Sequence, residues 1–119
     1  MSELDPVFER LKGILALHAE DMEVVTDVPG NYYVNTAKPD EKGKPVFFGM
    51  VKAGKGGISY HLMPVYCHPE LLDGISEALH SRMQGKSCFQ FSQEDDELFG
   101  ELATLTQRGL ERYDADGKI

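Results

Sequence analysis

The sequence predicts an α+β domain: a mainly antiparallel sheet with N- and C-terminal helices packed on one face. Three observations carry this. Helical periodicity is confined to the two ends and to one stretch near residue 70, whereas residues 22–66 read as successive β-rich runs. Connections between those runs are of hairpin length, too short for crossover helices. A doubly wound fold needs strands alternating with helices throughout, and the first half forbids it. At 119 residues, 41% hydrophobic and 27% charged, the chain suits one ordered domain over 1–119.

Asp5 followed by Pro6 is a helix start, because the carboxylate can accept from free first-turn amides and proline fills a position whose N–H would be orphaned. Val7, Phe8, Leu11, Ile14, Leu15 and His18 then recur at helical spacing, giving a helix over about 5–20 with Glu9, Arg10 and Lys12 on its polar side. "MEVVTDV" is β-branched and reads as a strand, "PGN" at 29–31 as a turn and "YYVNT" as the next strand. "AKPDEKGKP" at 37–45 combines two prolines, one glycine and five charges, an exposed hairpin connection. "VFFGMVKA" is a strand, "GKGG" at 54–57 a turn and "GISYHLMPVY" a further strand. Pro69 suits the opening of a helix through "PELLDGISEALHSRM", with Leu71, Leu72, Ile75 and Leu79 as its stripe, Gly74 as an interruption and Gly85 as its terminal cap. "KSCFQF" at 86–91 is the last strand. Ser92, with Asp95 three residues on, opens a final helix whose buried stripe is Leu98, Leu102, Leu105, Gly109 and Tyr113.

Charge is uneven along the chain. Residues 1–27 carry seven acids against two basic residues, residues 94–119 eight against three, and the middle seven basic against five acids, for a net charge of −8. Acidic ends repel phosphate, so nucleic acid is not an expected partner. No run of 18 apolar residues exists, and the first residues lack a signal-peptide pattern, so no membrane partner is expected and the expected location is cytoplasmic. Cys67 and Cys88 are too few for a disulfide framework and read as small buried hydrophobes.

Motifs that could carry chemistry are sparse. Gly85-Lys86-Ser87 matches the end of a phosphate loop, but position 80 is His80, not glycine, and the tripeptide leads into a strand rather than a helix. Lys52, Lys55 and the glycines at 54–57 suit a hairpin tip better than an anion cradle. His61, Cys67 and His68 lie close in sequence without zinc-ligand spacing, and no nucleophile, base and orienter set can be assembled. No cofactor is expected. Strand parity is more informative. With Ile58, Tyr60 and Leu62 facing the helices, Ser59, His61 and Met63 fall on the opposite face, joined by Cys88 and Gln90 if Phe89 and Phe91 face the core, and by Tyr33 and Asn35 if Tyr32 and Val34 point inward. If their strands pair, His61 and Gln90 are neighbours. A face of this mixed polarity suits a small ligand or a partner chain, so His61, Gln90 and Tyr33 are the candidate ligand-binding residues.

"GISYHLMP" at 57–64, the helix after it, "GKSCFQF" at 85–91 and the closing helix resemble the uncharacterised bacterial family of YdhG-like proteins, in which a strand ending near His-x-x-Pro and a later Gly-Lys-x-x-x-Gln-Phe strand recur in the same order. The resemblance is strongest over 46–113. "YCHPELL" and the long 37–45 connection depart from shorter typical members. The resemblance implies a frataxin-like fold, with terminal helices against one face of an antiparallel sheet. It also implies an alternative function: weak iron binding or iron chaperoning by acids of the first helix and strand, here Glu20, Asp21 and Glu23, near Asp27. The leading expectation from the residues themselves is a small cytosolic binding or adaptor domain that uses the face around His61 and Gln90, with a homodimer as one way of covering it.

Overall fold

The computed structural model describes residues 5–119, apart from the side chain of Asp21. Five strands form one sheet in the order β1-β2-β3-β4-β5, every neighbouring pair antiparallel: β1 Met22–Val28, β2 Asn31–Thr36, β3 Phe47–Ala53, β4 Ile58–Leu62 and β5 Cys88–Phe91. The helices are α1 Asp5–Ala16, α2 Met63–Cys67, α3 Glu77–His80 and α4 Asp96–Ala115. The predicted α+β class, sheet polarity and terminal helices all hold.

The alternation that predicted the strands also builds the core. Tyr32, Val34, Val51, Ile58, Tyr60, Leu62, Phe89 and Phe91 are buried on the inner side of the sheet, under Val7, Phe8, Leu11 and Leu15 of α1 and Leu98, Leu102, Leu105 and Tyr113 of α4. The two long helices run side by side in the same direction. Arg10 reaches Asp96 and lies over the Phe99 ring near the start of α4, while Leu17, just past α1, shares a cleft with Gln107 and Leu110. Lys12 ties α1 to the other end of the sheet, 2.7 Å from Asp27 and 5.3 Å above the Tyr32 ring. Inside the core, Tyr60 Oη lies 2.6 Å from Thr106 Oγ1; Thr106 spends its own proton on the Leu102 carbonyl, so the tyrosine is the donor.

Several boundaries move, each for a local reason. α1 stops at Ala16 rather than about 20, because its buried stripe ends at Leu15; a 3₁₀ turn at Ala19–Asp21 then leads into β1. β4 stops at Leu62, not at residue 66: Pro64 has no N–H for a ladder but fits the first turn of α2. Met63 therefore leaves the outer face and packs against the core. The single helix expected from Pro69 breaks into a 3₁₀ segment, Pro69–Gly74, and the one-turn α3. Between them Ile75 is extended, and Ser76 restarts the helix by accepting from the Leu79 amide at 3.2 Å. Gly85, at φ +91°, does not cap a helix but shapes the turn that brings the Gln84 amide to the Cys88 carbonyl. Asp95, not Ser92, caps α4 by accepting from the Leu98 amide at 3.1 Å. That helix ends in a Schellman turn, with Gly117 at φ +78° and the Lys118 amide bonded to the Tyr113 carbonyl.

Glycines in the helices yield a test. A Cβ at Gly13 or Gly100 would meet nothing within 4 Å, so Gly13→Ala or Gly100→Ala should add about 0.5–1 kcal/mol of stability. A Cβ at Gly109 would lie 2.9 Å from Pro64 Cβ, part of a rigid ring under α4. Gly109→Ala should therefore cost about 1–2 kcal/mol despite the same gain in helix propensity. Urea unfolding of the three variants checks both signs; a neutral Gly109→Ala would mean that α4 can move off α2.

Candidate functional site

All four helices lie on the inner side, where α1, α2 and α3 each contact α4. Among the described residues the outer face carries no helix, and register decides what it displays. Tyr33 pairs with Met50, Met50 with His61, and His61 with Cys88; one step along, Ser59 pairs with both Lys52 and Gln90. His61 and Gln90 are therefore diagonal neighbours on one face, not direct partners, and Tyr33 sits two strands from His61 with Met50 between. All three predicted residues share the outer face, and all are half-buried.

Two groups there carry features that parity reasoning misses, although Asn35 itself is expected on this face. Phe47 stacks on Tyr33 with ring centroids 4.8 Å apart and planes 27° from parallel. A register shift lets Asn35 pair with Phe47 although Val34 pairs with Gly49, so Phe48 is the extra residue and turns into the core. Alternation within "FFGMVKA" cannot show which phenylalanine faces out; the adjacent Phe-Phe pair is the only hint. The second group is the pair of asparagines flanking Tyr33. Asn35 is only 7% exposed, and the Oδ1 atoms of both Asn31 and Asn35 are buried without a hydrogen-bond partner. An orphaned carbonyl oxygen costs about 1–3 kcal/mol, so this face keeps unspent accepting capacity beside an aromatic pair.

Electrostatically the face is muted. Burial holds the His61 imidazole below its ordinary value of 6.5, and burial likewise pushes the Cys88 thiol up. His61 is thus a neutral donor and acceptor, and Cys88 a thiol rather than a reactive thiolate.

His68 and Cys67 serve elsewhere. His68 Nδ1 accepts from the Arg112 guanidinium at 2.9 Å, its Nε2 bonds Asp116, and Arg112 also holds Glu70 at 2.7 Å. With both ring nitrogens engaged, His68 has none free to act as a base; it pins the end of α4 to the turn after α2. The bond from His68 holds the Asp116 carboxyl below the usual carboxylate range. Cys67 Sγ is 3.9 Å from the Tyr113 hydroxyl, which donates to the Phe47 carbonyl.

Glu20 lines a cleft with Met22, whereas the next strand residue, Glu23, projects to the opposite side of β1 and pairs in register with Asn35. The side chain of Asp21 lies outside the described residues. Among the described residues no group of three or more His, Cys, Asp or Glu is arranged to hold a metal ion. No helix of the described residues is long and apolar enough to cross a membrane.

The depressed His61 value sets a pH dependence. The unfolded chain takes up this proton at a higher pH than the native state does, so acidification below about 6.5 should progressively destabilise the fold until the native value is passed. His61→Gln should flatten that part of the stability profile, and an NMR titration of the imidazole should give a midpoint under 6.5; a midpoint above it would contradict the burial of this ring.

Comparison with protein-family models, curated proteins and solved structures found no match to this chain.

Proposed function

We propose that this chain is a small cytoplasmic binding or adaptor domain whose working surface is the outer sheet face around Tyr33, His61 and Gln90. One observation carries the reading: the half-exposed Tyr33–Phe47 stack lies between two asparagine carbonyl oxygens that have no partner. Aromatic surface contributes affinity through area and stacking, and turning either buried carboxamide outward would offer its unpaired acceptor to an occupant that brings N–H or O–H donors. The neutral His61 and the Gln90 carboxamide extend the polar pattern across β4 and β5. The occupant is a flat, donor-bearing small molecule or the matching face of a second copy. The resemblance to YdhG-like proteins and the frataxin-like arrangement agree with a compact domain whose helices leave one sheet face uncovered.

Replacing His61 and Gln90 together by alanine tests this surface. Thermal melting shifts with a panel of planar aromatic amides and amines, and the oligomeric state by light scattering, should both be measured on parent and variant. At least one of these properties should be present in the parent and lost in the variant. If both are unchanged, the outer face is not the working surface.

Iron binding at Glu20, Asp21 and Glu23 is the alternative, and it rests on the fold resemblance and the local excess of acid. Anaerobic calorimetry with ferrous iron should then give heat that disappears on replacing the three by their amides. Absent heat, or heat that survives the replacement, removes this alternative.

A further inference from the structure

The two edges of the sheet are treated differently. Beside β5, residues 82–84 act as a short covering strand: the Gln90 amide donates to the Arg82 carbonyl and the Gln84 amide to the Cys88 carbonyl, both at 2.8 Å, and Met83 bridges to Phe89. Among the described residues β1, at the other end of the strand order, has no neighbour on its outer side. An open edge presents unpaired backbone donors and acceptors, which proteins ordinarily blunt with lysine, proline or a cover. β1 contains neither lysine nor proline over its seven residues.

Exposed apolar surface gathers at this same edge. Among the described residues the large exposed hydrophobics are Leu17 at 76%, Val24 at 41%, Val25 at 52%, Val28 at 52% and Tyr66 at 54%, so four of the five lie on β1 or just before it. Scattered exposed hydrophobics need no explanation, but three valines exposed on both faces of one edge strand mark it as an interaction surface. At the start of β1 a cleft of about 340 Å³ opens between Leu17, Met22 and Leu110, rimmed by Glu20, Glu111 and Asp114. None of these three acids takes part in the ion pairs formed among the described residues.

Charge decides between occupants. A second copy would bring the same acids, Glu20, Glu23, Glu111 and Asp114, to this edge, with no basic side chain on β1 to meet them. Two copies would also each bring a net charge of −8. We propose that β1 accepts an extended, basic segment of a partner protein as a sixth strand. Its alternate apolar side chains cover Val28 on the outer side of the strand, and on the inner side one Lys or Arg lays its stem on Leu17, Met22 and Val24 with its charged head among Glu20, Glu111 and Asp114. The register shift between Val24 and Thr26 kinks the strand, which keeps the docking length short and limits uncontrolled edge-to-edge growth.

Fluorescence anisotropy with a labelled Lys-Val-Lys-Val-Lys-Val peptide tests this, with Glu-Val-Glu-Val-Glu-Val as the counterpart. The basic peptide should bind saturably and weaken with added salt, and the acidic one should not bind. Val25→Lys with Val28→Lys should weaken binding at least about tenfold, since edge lysines repel both the strand and its charge. Glu20→Gln with Glu111→Gln and Asp114→Asn should weaken it by a similar factor, about tenfold, and reduce the salt dependence. All substituted side chains are at the surface, and unchanged melting curves confirm that the variants fold. Absence of saturable binding, equal binding of both peptides, or unchanged affinity in the valine variant overturns the proposal. So does a parent dimer in sedimentation that the valine variant abolishes, which would make a second copy the occupant.

Discussion

Burial of the inner side of the sheet beneath α1 and α4 is the interaction on which the remaining features depend. Each strand sends alternate side chains inward, and each large one removed from water contributes about 1.5–3 kcal/mol before the entropy of ordering is set against it. Two helices running in the same direction are enough to cover the area only if they approach closely. Gly109 allows α4 to sit on Pro64, and Gly49, where a Cβ would lie 2.8 Å from Leu15, does the same for α1 over β3. The Tyr60–Thr106 hydrogen bond satisfies a fully buried hydroxyl in that layer, and burial raises the tyrosine pKa.

Covering one face with both helices leaves the other face and the edges to be managed separately. β5 is protected because the chain, after its helical excursion from β4, returns through residues 82–84 before turning at Gly85 into the sheet. Among the described residues β1 receives no such cover: it follows α1 through one short 3₁₀ turn, and its one sheet neighbour there is β2. The outer face stays half-wet. Its aromatic stack is tolerable there because both rings stay half-exposed, whereas the two orphaned carboxamide oxygens beside it are buried and carry the cost of an unmade hydrogen bond.

Charge follows from the same packing. The acid-rich ends are far apart in sequence, but α1 and α4 lie side by side, so Glu20 reaches the same cleft as Glu111 and Asp114. Part of this repulsion is offset locally: Arg10 serves Glu94 and Asp96, Lys12 serves Asp27, and Arg112 with His68 organises Glu70 and Asp116. These are exposed or half-exposed pairs of small individual worth, and their effect is chiefly to fix where the helix ends sit.

By itself the sequence determined the α+β class, the antiparallel order of the first four strands, the buried stripe of α4 and the sidedness of Tyr33, His61 and Gln90, because all of these follow from periodicities of 2.0 and 3.6 residues read over short windows. Element ends were legible only where a cap or proline acted alone. Ser92 and Asp95 both suit a cap, and geometry chose Asp95; Pro64 ended a strand that its β-branched neighbour Val65 would have prolonged. Partnership was decided by tertiary structure. The Phe47 stack needed a register slip, His61 met Cys88 rather than Gln90, His68 was claimed by Arg112 and Asp116 from 44 and 48 residues away, and the acids of both termini converged beside β1. Such contacts depend on strand register and on where α4 crosses the sheet, and both are set by the summed burial of the whole core, which no local window contains.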